Sequence, residues 1–431
     1  MMVRVSSPRL VIVAAGAIAI ATILIAFAPV VDKARFIPSA VISNLIRSRP
    51  PNSSARAIDR QRLQQCSAIS KSPSQCPAYF SWIDRDLAPW KDHGITLHSL
   101  QEAKKRADFR VLILNGTLYM ERYHKCFQTR DDFTLRGLQL LLDRFPGMVP
   151  DVDLMFGCGD FPAIPRAKGS DDPSPPPLFS YCTTARGENY DIVFPDWSFW
   201  GWPEVNILPW EEEKQKIYSG AREEKWSKRQ RFAYWKGNYW TGAARPDLVK
   251  CAANKDVNSS RLITHHQDWN AEKGQGFKSS DMSKQCTHRY KVYVEGRGWS
   301  ASLKYIMSCG STVLFINPDF HEFFSRSLIP FVHYWPINRT DICNSIKAAV
   351  DWGNAFPEEA EAMGKCAQTF LDMELDMKFV YQYMLLLLQH YAQLLKFEPV
   401  LPEGLAPFQT DNKAFVNKTS SVALTQACTI Y

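Results

Sequence analysis

The sequence carries 11 cysteines but no C-x-x-C pair, so a zinc ribbon or a thioredoxin-type redox site is excluded. It has no H-E-x-x-H stretch and no D-x-D at the exit of a strand, so no metal site is expected. The full G-x-G-x-x-G fingerprint is missing, which argues against dinucleotide binding. A marked excess of one charge sign is also lacking. The 51 basic residues are interspersed with 44 acidic ones, and a net charge of +7 over 431 residues leaves no nucleic-acid footprint. No internal repeat occurs, and the C-terminal Thr429-Ile430-Tyr431 carries no K-D-E-L-type retention signal.

Leu10 to Val31, by contrast, is a long uncharged and mostly apolar run. A helix of that length spans the hydrocarbon core of a bilayer, about 30 Å thick. Arg4 and Arg9 precede it and favour a cytosolic N-terminus. The expected arrangement is a type II signal anchor at 10–31 with a cytosolic tail at 1–9. A cleaved signal peptide is the rival reading, but its apolar core is normally shorter. Five N-x-S/T sequons, at Asn52, Asn115, Asn258, Asn338 and Asn417, all follow the run, as do all the cysteines. Both fit a lumenal, oxidising compartment. Residues 32–75 are rich in Ser, Pro and Arg without periodicity, and read as a stem.

Beyond the stem, strand-like runs alternate with helical ones. Val111–Leu114 predicts a strand, Asn115-Gly116 a tight turn into Thr117–Tyr119, and Phe133–Phe145 a helix. Val152–Phe156 predicts a strand leading into Cys158-Gly159-Asp160-Phe161-Pro162. Ser300–Cys309 reads as a helix and Val313–Ile316 as a buried strand, followed by helices near 341–352, 357–371 and 377–396. The alternation implies an α/β chain with open parallel sheets, and ligands at the carboxyl ends of their strands.

Several stretches suit chemistry. Asp160 at a strand exit suits a general base, although an Asp closing its own turn is the commoner role. Trp197, Phe199 and Trp200 form either a sugar-binding platform in an acceptor cleft or a core cluster. Lys236-Gly237-Asn238 with Arg245 can host a phosphate, or be a solvated basic loop. Tyr293 to Ser300 reads as a strand entering Glu295-Gly296-Arg297-Gly298, with Ser300 capping a helix whose free N–H groups face an anion. Glu322 suits either a ribose hydroxyl or an exposed helix start, and His333 either a site or a structural role.

Taken together, Arg130–Pro162, Asp191–Pro203, Ala233–Cys251 and Gln285–Lys396 resemble glycosyltransferase family 90, the Rumi-type protein O-glucosyltransferases, in its plant-type branch. The resemblance implies a GT-B architecture, with an acceptor-side Rossmann-like domain at 76–228 and a UDP-sugar domain at 229–372. A helix at 373–400 returns to the first domain, and a tail follows at 401–431. It implies metal-free inversion with no cofactor, UDP-glucose or UDP-xylose as donor, and a protein or polysaccharide acceptor. It makes Asp160 the base. Lys236, Arg245 and the N–H groups near Ser300 would offset the charge of the leaving diphosphate. Where animal members have Arg-Gly this chain has Glu295-Gly296, and Ser302 stands in place of another arginine, so Lys304 or Arg297 would compensate. The resemblance also suggests a Cys286–Cys309 disulfide, with Cys126–Cys158 and Cys66–Cys76 as further pairs. The expected setting is the Golgi membrane, with the endoplasmic reticulum second. The alternative function is a catalytically inactive lectin-like or scaffold protein.

Overall fold

The structure, a computed structural model, describes Cys66 and residues 76–166, 172–253 and 256–409. The expected anchor at 10–31, most of the stem, Asn52 and Asn417 lie outside the described residues. Among the described residues no helix is long and apolar enough to cross a membrane.

Residues 109–193 build one five-stranded sheet. Its strands are β1 (Phe109–Leu114), β2 (Thr117–Arg122), β3 (Val152–Phe156), β4 (Leu178–Ser180) and β6 (Ile192–Val193), in the order β2-β1-β3-β4-β6. Asn115 and Gly116 both take positive φ, 48° and 72°, the backbone that a two-residue hairpin turn between β1 and β2 demands. The expected parallel pairing holds for part of this sheet, and the expected hairpin adds an antiparallel edge. β1 runs antiparallel to both β2 and β3, because the hairpin reverses the chain at the sheet's edge, and only β3-β4-β6 are parallel. All five residues of β3 are buried. Asp153 within it is neutralised by Arg110, 2.7 Å away across the strand pair.

The second five-stranded sheet is parallel throughout. It comprises β7 (Gln230–Gly237), β8 (Leu262–His266), β9 (His288–Tyr293), β10 (Thr312–Ile316) and β12 (Trp335–Ile337), ordered β12-β10-β9-β7-β8. β9 and β10 are buried along their whole length, as expected of strands covered on both faces. A two-residue ribbon pairs β5 (Thr183–Thr184) with β11 (Phe320–His321), so the segment after β10 is stitched to the segment after β4.

Helices cover both sheets. α1 (Arg130–Arg144) presents Gly137 to Trp200, whose ring occupies the space where a Cβ would sit. α2 (Trp210–Glu223), α3 (Arg245–Ala252), the short α4 (Leu303–Ser308), α5 (Ile342–Ala355) and α6 (Pro357–Met373) follow. The last, α7 (Met377–Leu394), packs on the first sheet: its Tyr391 hydroxyl donates to the Asp153 carbonyl at 3.0 Å and its Tyr383 hydroxyl to the Val193 carbonyl at 3.2 Å. Its Leu385, Leu387 and Leu388 are buried, so the apolar run is packing surface.

Cys286 pairs with Cys309, Cys126 with Cys158, and Cys251 with Cys343. Cys66 bonds Cys366, 300 residues away, which corrects the expected Cys66–Cys76 pair.

Candidate functional site

The carboxyl ends of β3, β7 and β9 open onto one cavity of about 630 Å³. β3 delivers Asp160 to its wall, β7 delivers Lys236, Gly237 and Asn238, and β9 leads to Gly296, Arg297 and Ser300. Arg245 at the start of α3 and Trp197 also line it.

Asp160 keeps a third of its side chain exposed, enough to reach a bound molecule. Arg130 holds it, donating to Oδ1 at 3.0 Å while its other guanidinium nitrogen donates to the Cys158 carbonyl at 2.9 Å. The Arg130 guanidinium in turn lies 4.3 Å from the centre of the Trp197 ring. Arg130 is absent from the candidates above. The signal for it is its place: a cation in the first turn of α1, against the helix dipole and beside Asp131 and Asp132, needs a reason to be there.

The Asp160 loop touches the glycine loop. Gly298, at φ +69°, has no room for a side chain, since a Cβ would meet the Asp160 carbonyl oxygen at 1.8 Å. Beneath the contact lies Cys182, buried and the free cysteine of the described residues. Its Sγ sits 3.5 Å from the Asp160 carbonyl oxygen, and the Trp299 backbone amide bonds to the sulfur from the other side. On the opposite flank Gly242, at φ +85°, comes so near the Gly296 carbonyl that a Cβ would lie 2.0 Å from it.

Several expected donor contacts are turned elsewhere. α4 starts at Leu303, not at Ser300: Ser302 holds the N-cap position without a side-chain cap, and the Ser300 N–H donates to the Tyr293 hydroxyl at 3.2 Å. The Glu295 carboxylate is buried and turned from the cavity, accepting the Asp319 and Phe320 N–H groups at 2.8 and 3.2 Å and pairing with Arg339 at 2.7 Å. Lys304 is fully buried, does not line the cavity, and donates to the Ser198 hydroxyl at 2.7 Å beside the Asp196 carboxylate. It therefore does not reach the cavity that Arg297 lines. Glu322 is buried outside the lining with neither carboxylate oxygen hydrogen-bonded. Burial pushes its carboxyl well up, Lys304 opposing and Asp196 reinforcing. Lys236 is tied to Glu272 at 2.9 Å.

Trp197 lines the cavity, but Phe199 and Trp200 belong to the core, and the Trp200 indole N–H donates to the Tyr381 hydroxyl at 3.2 Å. Trp202 and Trp269 complete the aromatic wall, and Phe127 and Phe161 form an exposed apolar rim. His333 is structural: buried, it accepts the Ile329 N–H at 3.0 Å, and burial holds its ring down to about 4. Arg245 donates to the carbonyls of Glu295 and Asn238 at 3.0 and 3.1 Å, and its burial lowers its pKa to about 10. Asn115 and Asn258 are exposed, and Asn338 is half-buried. Asp108, Cys126 and Cys158 cluster as metal ligands would, yet the two sulfurs are joined to each other, which removes them as ligands.

A curated relative, O-glucosyltransferase rumi of Drosophila melanogaster, is 26% identical over 340 residues, covering 77% of this chain and 80% of the fly protein. Protein O-glucosyltransferase 1 of Homo sapiens is 25% identical over 347 residues, covering 77% of this chain and 84% of the human one. The family model for glycosyl transferase family 90 matches residues 71–428, which takes in both sheets, the cavity and α7, and the chain belongs to that family.

Proposed function

We propose that the protein transfers glucose or xylose from a UDP-sugar to a hydroxyl of a protein acceptor, with inversion, on a GT-B architecture. The observation that carries the reading is the meeting of the Asp160 loop with the Gly296–Ser302 loop in one cavity wall. A base and a nucleotide loop must be adjacent for in-line displacement at an anomeric carbon. In this reading the donor lies along the loops that follow β7 and β9. Asp160 takes the proton of the acceptor hydroxyl as its oxygen bonds to the anomeric carbon and the bond to UDP breaks. Arg130 orients the carboxylate. Arg245, which lines the cavity, faces the departing diphosphate, where fixed positive charge counts most in a site shielded from water. The protein acceptor follows the relatives' names. The exposed Phe127 and Phe161 give it an apolar rim to dock on. The four disulfides between described cysteines support an oxidising compartment.

The test is UDP release by the purified lumenal part with each donor, comparing wild type with Asp160→Asn. Loss of a general base lowers kcat by about 10²–10⁴-fold, while donor affinity holds. An Asp160→Asn protein as fast as wild type removes Asp160 from the mechanism. A wild type that binds donor and transfers nothing supports the lectin-like alternative.

A further inference from the structure

The cavity is lined by five cationic side chains, and their partners separate them. Arg130 is bound to Asp160 at 3.0 Å, the exposed Arg297 stands 3.9 Å from the same carboxylate, and Lys236 is paired with Glu272. Arg245 spends two donors on backbone carbonyls. The fifth is Lys291, on β9.

Lys291 is buried, and its Nζ donates one hydrogen bond, to the Gln285 carbonyl at 2.9 Å. An ammonium has three donors. The Tyr234 ring on β7 lies 5.3 Å from Nζ, too weak a partner to offset desolvation. The charged group acting on it is Arg229, ahead of β7, which disfavours its charge; His288, on its own strand, is held down to about 4 and is neutral where the lysine titrates. No carboxylate pairs with it among the described residues. A buried, unpaired ammonium is costly unless an anion joins it or its proton leaves. Burial first, and Arg229 second, bring its pKa down to about 7.

We propose that Lys291 is the anion subsite of this cavity: it takes the negatively charged diphosphate ester of the donor and binds a solvent proton as that donor enters. This rests on the reading of the cavity as a sugar-nucleotide site. Its proton can leave when no anion is at hand, so no carboxylate is needed to hold it. The entering diphosphate supplies the missing counter-charge and fixes the ammonium form. The proton gained on binding is returned to solvent when UDP leaves.

Calorimetric titration with UDP-glucose and with UDP-xylose, between about pH 6 and pH 9, tests this, because a diphosphate diester does not itself titrate there. Wild type is expected to lose affinity by about tenfold per pH unit above the free lysine's pKa. Its binding heat should vary with the ionisation enthalpy of the buffer, reporting proton uptake. Lys291→Met and Lys291→Gln should bind at least tenfold more weakly at the acid end and show a flat pH profile. Lys291→Arg, which keeps the charge and guards against misfolding, should bind with a flat profile and no proton uptake. A Lys291→Met or Lys291→Gln protein with wild-type affinity and slope overturns the subsite while leaving the cavity's function standing. A wild type that binds neither donor overturns both.

Discussion

At the scale of single residues, burial decides which charges remain available. Lys304 and Glu322 illustrate this. Each sits where a sequence reader expects solvent: a lysine in an amphipathic helix and a glutamate beside aromatic residues. The fold buries both next to Asp196, which is 108 residues from Lys304 in sequence, so no local pattern reveals it. Glu322 has a folded pKa raised well above its unfolded value by burial. The folded state therefore holds the proton more tightly than the unfolded one. Below the unfolded pKa both states are protonated and the group costs nothing; as pH rises past it the unfolded chain ionises and stability falls. Glu322→Gln should therefore raise the melting temperature near pH 8, and the gain should shrink towards pH 4. An equal shift at both ends would show that ionisation is not the cause.

At the scale of elements, local signals read well where the chain meets only itself. Val152–Phe156 is apolar except for Asp153 and forms β3 with those bounds, and Asn115-Gly116 turns as its residue types require. The place of Asp160 in the cavity wall was legible because a strand exit is where α/β sheets open their crevices. The start of α4 was not. Ser300, Ala301 and Ser302 offer two capping hydroxyls, and the choice is made by Tyr293, whose hydroxyl takes the Ser300 N–H. The role of Arg130 was missed because its partner lies 30 residues along the chain. α4 is only six residues long, too short to stand by itself, and the Cys286–Cys309 bond ties its end to the turn before β9. Closing a loop of separation 23 is worth about 3 kcal/mol by chain entropy. Replacing both cysteines by alanine should lower unfolding free energy by that order in denaturant titration. It should also weaken donor binding, since Cys309 lines the cavity. Unchanged donor affinity in the folded variant would separate the clamp from the site.

At the scale of the whole molecule, the two sheets meet along a seam that holds Asp160 and the glycine loop. The β5–β11 ribbon stitches one part, and the Asp160–Gly298 contact closes another. α7, the last helix of the described chain, returns to pack on the first sheet, so residues near both ends of the domain complete one core. Such long-range closure leaves no local trace in a sequence, and only the family resemblance anticipated the returning helix. Cys182 lies within the seam, its sulfur touching the Asp160 carbonyl on one side and the Trp299 amide on the other. That makes the thiol a built-in clock for separation of the two halves. A thiol reagent reaches it only in molecules whose seam has momentarily parted, so the labelling rate of the Cys182 peptide, followed by mass spectrometry, counts those openings. Labelling should be slow in the free protein and slower with UDP-glucose bound. A rate indifferent to the donor would mean that the seam breathes independently of what the cavity holds.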